Sequence, residues 1–145
     1  MSVLLAACIV TAVYDGDTLT AKCEKRASPV RVRVAGIDSP ELKAFTWQTQ
    51  PGAIEARTAA RTLCLKQKAV IRLDVYDRRT SRWVGRVVCQ GQDLGKHMVS
   101  GGNAWAYMPT KTADYSIQMR GAQDQRIGLW NGEAVSPAAW RKLVR

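Results

Sequence analysis

The chain is 145 residues long and 46% of these are hydrophobic, which is enough for one domain with its own core. It carries 22 Lys plus Arg against 12 Asp plus Glu, and the formal net charge of +10 suits a polyanionic partner. The longest apolar run, residues 4–10, is far too short to span a bilayer, which argues against a transmembrane protein and predicts a soluble one.

No internal repeat or linker divides the chain. We therefore expect a single domain over residues 1–145, with a core over about residues 8–130 and a packed C-terminal extension over residues 131–145. No segment marks a dimer interface, so a monomer is the default expectation.

The N-terminal part of the chain has the pattern of three strands. Apolar and β-branched residues are concentrated at residues 8–14, Thr18–Cys23 and Val30–Val34, and the last run alternates strictly. Asp15-Gly16, between the first two runs, is typical of a two-residue hairpin turn. The sequence therefore predicts a three-stranded meander.

A helix and two more strands are predicted next. Residues 54–64 place small and apolar side chains on one helical face, directly after a Pro-Gly pair. Strand patterns follow at residues 69–76 and 83–89, on either side of a basic loop over residues 77–82.

Two further helices are predicted from their capping residues. Asp93 can cap a short helix that runs through Ser100, and Asp114 can cap a longer one that stops at Gly128. Five short strands with a helix after the third are typical of a small closed barrel with attached helices.

Four cysteines allow three pairings, and the predicted strands favour one of them. A two-residue Asp-Gly turn places Cys8 opposite Cys23, which favours a cross-strand disulfide and leaves Cys64 to pair with Cys89. Two such bridges imply an oxidising compartment, the periplasm or the exterior of a bacterium. Four buried, reduced thiols in a cytoplasmic protein remain the alternative.

Three carboxylates lie at the ends of predicted strands. Asp17 follows the first turn, whereas Asp38 and Glu41 follow the third strand, so the three side chains could converge. Hard oxygen ligands of this kind suit Ca²⁺ or Mg²⁺ rather than zinc. An acidic site within a basic chain indicates metal-assisted chemistry on nucleic acid.

Over residues 10–130 the chain resembles the staphylococcal nuclease (thermonuclease) family. The resemblance depends on four motifs: Asp15-Gly16-Asp17-Thr18, Arg33 five residues before Asp38-Ser39-Pro40-Glu41, Gly85-Arg86, and Gly128-Leu129-Trp130. It implies an α+β, mainly β fold: a five-stranded OB-fold Greek-key barrel with three α-helices.

The resemblance also implies an activity and a cofactor. The expected enzyme is a Ca²⁺-dependent endonuclease of low specificity that hydrolyses DNA and RNA and leaves 3′-phosphates. One Ca²⁺ ion is expected, with Mg²⁺ or Mn²⁺ as alternatives, held by Asp17, Asp38 and the backbone carbonyl of Ser39.

Catalytic roles are implied for three further residues. Glu41 would orient or deprotonate the attacking water, while Arg33 and Arg86 would bind the phosphate and stabilise its developing charge. The physical reason is general: a planar guanidinium can bind two phosphate oxygens at once and stays charged at working pH.

Substrate contacts are expected from aromatic and basic residues. The family places tyrosines after the second helix to stack on a nucleotide, and this chain offers Trp105 and Tyr107 there. Two interpretations remain open for the arginines of the basic loop: they are exposed in a solvated turn, or they bind phosphates of the substrate. These residues are Arg78, Arg79 and Arg82. The chain departs from the family at Val84, where an aromatic residue usually precedes the Gly-Arg pair.

A second class of function fits the same fold. Degenerate copies of this domain bind nucleic acid or protein without cleavage, and such a copy should have lost its ligand carboxylates or its arginines. This chain retains the full set, Asp17, Arg33, Asp38, Glu41 and Arg86. The sequence therefore favours the enzyme over the binding module.

Overall fold

Five strands close into a barrel in the computed structural model, which describes residues 2–42, 48–107 and 113–144. The five barrel strands are β1 (Val3–Val13), β2 (Thr18–Cys23), β3 (Val30–Val34), β5 (Lys68–Asp77) and β6 (Arg82–Cys89). Three further strands have two residues each: β4 (Ile37–Asp38), β7 (Gln92–Asp93) and β8 (Trp105–Ala106). The helices are α1 (Ala53–Cys64), α2 (Leu94–Ser100), α3 (Ser116–Asp124) and α4 (Pro137–Leu143).

The barrel has OB-fold topology. Antiparallel neighbours follow the order β3-β2-β1-β5-β6, and the parallel pair of β3 with β6 closes the barrel. The predicted mainly-β OB-fold is thus confirmed. The described residues contain one α-helix more than the three predicted, because α4 forms within the expected C-terminal extension.

Strict alternation along β3 decides which side chains enter the core. Val30, Val32 and Val34 are buried inside the barrel, whereas Arg31 and Arg33 between them lie on its outer face. β3 therefore contributes valines to the barrel core from one face and Arg33 to the candidate site from the other.

The connection between β1 and β2 is wider than the predicted two-residue turn. Val13 pairs with Leu19, so the turn register is one residue away from the expected one. A β-bulge between Val10 and Ala12 compensates for this shift further along the strand. The prediction of the turn was wrong, although the register beyond the bulge agrees with it.

All four cysteines are paired as the sequence predicted. Cys8 is bonded to Cys23 across β1 and β2, and Cys64 at the end of α1 is bonded to Cys89 at the end of β6. The alternative of four reduced thiols is not what the structure shows. The second bridge joins the end of α1 to the end of β6.

Removal of the second bridge should reduce stability measurably. Because the bridge closes a loop with a sequence separation of 25, the double substitution Cys64→Ala with Cys89→Ala should lower the free energy of unfolding by about 3 kcal/mol. Urea unfolding measures this loss, and Ala avoids burying a new hydroxyl. Four titratable thiols in the unreduced, denatured wild-type protein would contradict the pairing.

The helices partly follow their predicted limits. Asp93 caps α2 as expected, with its side chain accepting a hydrogen bond from the backbone N–H of Lys96 at 3.2 Å. The predicted end of the next helix at Gly128 was wrong, because α3 ends at Asp124 and Arg126 takes a left-handed conformation with φ of 54°. Asp114 binds the N–H of Ser116 but is not the N-cap.

The C-terminal segment forms α4 and contacts residues near the end of β4. Ser136 caps this helix, accepting a hydrogen bond from the N–H of Ala139 at 3.2 Å, and Pro137 occupies its first position. Upstream of the helix, the carbonyl of Val135 accepts a hydrogen bond from Nε2 of Gln50 at 2.6 Å. No helix in the described ranges is long and apolar enough to cross a membrane.

Candidate active site

Two buried carboxylates form the centre of the candidate site. Asp17 ends the loop before β2, and Asp38 ends β4, which pairs with β8; each residue is 6% exposed. The close approach of the two segments depends on Gly16, because a Cβ there would lie 2.7 Å from Cβ of Ser39. A side chain at this position would therefore separate the loop from the segment that carries Asp38.

Arg33 bridges the two carboxylates from the outer face of β3. One guanidinium nitrogen, Nη1, lies 3.2 Å from Oδ2 of Asp17, and Nη2 lies 3.3 Å from Oδ1 of Asp38. Nη1 also donates to the backbone carbonyl of Ile37 at 2.9 Å. The guanidinium of Arg33 is therefore held by both carboxylates at once.

Hydrogen bonds fix the orientation of Asp17. Its Oδ2 accepts from the backbone N–H of Ser39 at 2.8 Å, and its Oδ1 accepts from the hydroxyl of Thr18 at 3.2 Å. The Thr18 hydroxyl in turn accepts from Nη1 of Arg82 at 2.9 Å. Of the three loop arginines predicted to bind substrate, Arg82 is thus the one connected to the site.

Burial and the charge of Arg33 have opposite effects on the pKa values of Asp17 and Asp38. Burial raises the pKa of Asp17, but the Arg33 charge and the Ser39 hydrogen bond outweigh it, so the pKa ends below its usual value. Burial raises the pKa of Asp38 to about 6, against the opposing effect of Arg33. The two carboxylates therefore differ in pKa although they share one arginine, and Asp38 is the first of the two to take up a proton as the pH falls below neutral.

Asp15 belongs to this network, although the sequence marked it only as a turn residue. Its Oδ1 accepts a hydrogen bond from the backbone N–H of Asp17 at 3.0 Å. Burial, together with the negative charge of Asp17, raises the pKa of Asp15 to about 8. At neutral pH Asp15 therefore retains a proton beside the ionised Asp17.

Glu41 lies at the edge of the site and is fixed through its backbone. Its N–H donates to Oε1 of Gln50 at 2.9 Å, and its carbonyl accepts from the N–H of Gln50 at 2.8 Å. Its carboxylate is bonded to Nη1 of Arg141 in α4. Arg141 also lies 3.4 Å from Oδ2 of Asp38.

Arg141 was not among the predicted site residues. It lies in residues 131–145, which were predicted only as a packed extension, and one basic residue near the end of a short helix carries no motif that marks a site. The third predicted carboxylate thus approaches the other two through an arginine contributed by the C-terminal helix.

Arg86 shares the outer face of the barrel with Arg33 but does not contact the carboxylates. Val84 lies directly beside Arg33 in the β3–β6 pair, and alternation along β6 places Arg86 on the same face two residues later. Within the described residues Arg86 makes no hydrogen bond or ion pair with Asp17, Asp38 or Glu41. Its guanidinium is therefore available to a ligand.

The two predicted aromatic residues lie beside the strand that carries Asp38. Trp105 is directly opposite Asp38 in the β4–β8 pair, and its ring packs edge-to-face on Trp130 with centroids 5.0 Å apart. Tyr107 is 49% exposed and donates its backbone N–H to the carbonyl of Gly36 at 2.8 Å. Tyr107 is the more available of the two for stacking on a base.

Arg78 and Arg79 lie at the exposed turn between β5 and β6. The backbone N–H of Arg79 donates to Oδ1 of Asp77 at 3.0 Å, which fixes the turn rather than the candidate site. The structure does not bring these two arginines to the buried carboxylates.

The chemistry of the donor set fits a hard cation. Among the described residues, no cluster of three or more His, Cys, Asp or Glu side chains is arranged to hold a metal. Asp17, Asp38 and the Ser39 carbonyl supply fewer than the roughly 6–8 oxygen ligands that Ca²⁺ takes, so water would complete the set. The Ser39 hydroxyl is buried without a hydrogen-bond partner among the described residues, which adds an unsatisfied oxygen.

Comparison with known proteins finds relatives among nucleases. A probable endonuclease of Colletotrichum graminicola is 33% identical over 135 residues, covering 84% of this chain and 50% of the relative. An uncharacterized endonuclease of Haemophilus influenzae is 30% identical over 137 residues, covering 93% and 72%. A staphylococcal-like nuclease of Arabidopsis thaliana is 32% identical over 125 residues, covering 84% and 36%.

The chain therefore spans half of the fungal relative and about a third of the plant one. A family model described as staphylococcal nuclease homologue matches residues 31–132, which is well over half of the chain. This match includes all but the first residue of β3, the segment from Asp38 to Glu41, and β6. The predicted resemblance to a family of nuclease enzymes is confirmed, and the chain belongs to the staphylococcal nuclease family.

Proposed function

We propose that this chain is a Ca²⁺-dependent endonuclease of low sequence specificity that hydrolyses phosphodiester bonds of DNA and RNA and leaves 3′-phosphates. The observation that carries the proposal is the Asp17–Arg33–Asp38 network, with Glu41 beside it. It combines buried anionic oxygens for a cation with a guanidinium that can bind a phosphate.

Asp17, Asp38 and the Ser39 carbonyl would hold the ion. When bound, Ca²⁺ would supply positive charge next to the phosphate oxygens and lower the pKa of a nearby water. The family membership supports Ca²⁺ as the ion, with Mg²⁺ or Mn²⁺ as alternatives.

The remaining chemistry is carried by side chains of this protein. Glu41 accepts a proton from the attacking water as the water oxygen bonds to phosphorus, since a carboxylate next to the site can act as a general base. The P–O5′ bond breaks in the same step, which leaves the phosphate on the 3′ oxygen, and the departing 5′ oxygen takes a proton from solvent. Arg33 and Arg86 bind nonbridging phosphate oxygens and stabilise the charge that grows on them in the transition state. Arg33 is already oriented by Asp17 and Asp38, so little reorganisation is needed.

Low specificity follows from the kind of contact available. The +10 charge favours the phosphate backbone, which is the same for every sequence. Tyr107 can stack on any base, because every base has a π-face. We propose an oxidising compartment, periplasmic or extracellular, because two disulfides persist there, and a monomer as the working unit.

The experiment is digestion of supercoiled plasmid, single-stranded DNA and RNA with Ca²⁺, Mg²⁺, Mn²⁺ or chelator. We expect cleavage with Ca²⁺ and none with chelator. Asp17→Asn should weaken Ca²⁺ binding by calorimetry and abolish cleavage, whereas Asp124→Asn, an exposed carboxylate at the end of α3, should change neither. Because a 3′-phosphate blocks primer extension, products should serve as primers only after phosphatase treatment.

The outcomes separate the enzyme from the binding module. Tight binding of nucleic acid without cleavage under any metal would overturn the proposed activity and favour a non-cleaving OB-fold module. Cleavage that persists in chelator would contradict the metal requirement. Products that prime extension directly would contradict the 3′-phosphate.

A further inference from the structure

Arg141 contacts two residues of the candidate site that have different proposed roles. Its Nη2 lies 3.4 Å from Oδ2 of Asp38, a proposed ligand, and its Nη1 is bonded to Oε1 of Glu41, the proposed base. The planar guanidinium thus sets the spacing between these two carboxylates. Without a shared cation, two neighbouring carboxylates repel each other and move apart.

The same C-terminal segment also holds the backbone of Glu41. Gln50 makes two hydrogen bonds to the main chain of Glu41, and its side chain donates to the carbonyl of Val135 at 2.6 Å. Glu41 is therefore fixed at its carboxylate by Arg141 and at its backbone by a relay to Val135. Arg141 is 100 positions from Glu41 in sequence, and Val135 is 85 positions from Gln50.

We propose that Arg141 is a positioning residue for Glu41, and that Arg141 and Val135 form a clamp that holds the base at a fixed distance from Asp38. The inference rests on the proposed function. Arg141 engages Oε1 of Glu41, and no described residue hydrogen-bonds to Oε2, which can therefore accept from a water. The clamp orients the carboxylate and leaves one oxygen for the reaction.

Arginine suits this position for a geometric reason. A guanidinium presents separate nitrogens in one plane, so it can bind two carboxylates at once, whereas an ammonium is a single point charge. Arginine stays a cation at working pH, and Arg141 lies between the carboxylates of Asp38 and Glu41. Arg141→Lys should therefore keep the charge and lose the spacing.

The test compares Arg141→Gln and Arg141→Lys with Lys142→Gln, which removes one charge from the neighbouring, exposed position of α4. At saturating Ca²⁺ we expect kcat to fall by ~10–10² in Arg141→Gln, the scale of a displaced catalytic group. KM should change little, and Arg141→Lys should rescue only part of kcat. Lys142→Gln should match the wild type.

Hydrogen exchange gives a readout that does not depend on cleavage. Amide exchange at Glu41 and Gln50 should become faster in Arg141→Gln than in Lys142→Gln, since opening of the clamp frees both N–H groups. Unchanged exchange would overturn the clamp, even if the wild type proved inactive and the proposed nuclease failed. Faster exchange with unchanged or increased kcat would overturn the positioning role and mark Arg141 as an inhibitory contact instead.

Discussion

Glu41→Gln should lower kcat by ~10²–10⁴, the usual contribution of a general base. The amide has the same shape as the carboxylate and can still accept a hydrogen bond from Arg141, but it cannot take a proton from water. The backbone hydrogen bonds to Gln50 do not involve the altered group, so the local structure should persist. Single-turnover cleavage of a labelled oligonucleotide at saturating Ca²⁺ measures the loss.

Glu55→Gln provides the matched control. Glu55 is an exposed carboxylate in the first turn of α1, so the same chemical change occurs outside the site. Its rate should equal that of the wild type. A Glu41→Gln rate within a few-fold of the wild type, with Ca²⁺ binding unchanged by calorimetry, would contradict the role of Glu41 as the base.

Arg33→Lys should lower kcat by ~10²–10³, as removal of one charge-stabilising donor commonly does. Lysine keeps the positive charge but cannot reach Asp17 and Asp38 together with a planar fork, as the guanidinium does at 3.2 and 3.3 Å. A smaller effect on KM is expected, because the lost interaction is strongest when charge develops on the phosphate. Steady-state kinetics on single-stranded DNA separates the two parameters.

Arg31→Lys makes the same substitution two residues earlier on the outer face of β3. Arg31 is exposed and lies over the ring of Tyr14 at 5.3 Å, away from the carboxylates. We expect kcat to stay close to the wild-type value. Because both substitutions keep the positive charge, an Arg33→Lys rate close to that of the wild type would show that charge alone, rather than the geometry of Arg33, supports cleavage. Thermal unfolding of both variants identifies any loss that comes from folding.

Much of the barrel could be predicted because its signals are local. Strict alternation in β3 fixes which residues are buried, whatever the rest of the chain does. Asp17 and Arg33 follow the same logic, since β2 pairs with β3, its neighbour in sequence, and Thr18 lies opposite Arg33. Asp38 lies close to β3 in the chain, although its strand β4 pairs with the distant β8. Their convergence is therefore a consequence of strand pairing.

Other features depend on contacts that no local pattern records. The width of the turn before Asp17 depends on a bulge elsewhere in β1, and α3 ends where Arg126 takes a left-handed conformation rather than at Gly128. Neither feature could be predicted from the sequence, because the same residue types are compatible with several backbone conformations.

The barrel, the disulfide partners and a candidate set of Asp17, Arg33, Asp38 and Glu41 could be predicted from the residues alone. The separation of Arg86 from the carboxylates and the contact of Arg141 with Glu41, across 100 residues, were visible only in the folded chain. The reason is physical: alternation and turn chemistry act between near neighbours, whereas the position of a C-terminal helix depends on contacts with residues far away in the chain.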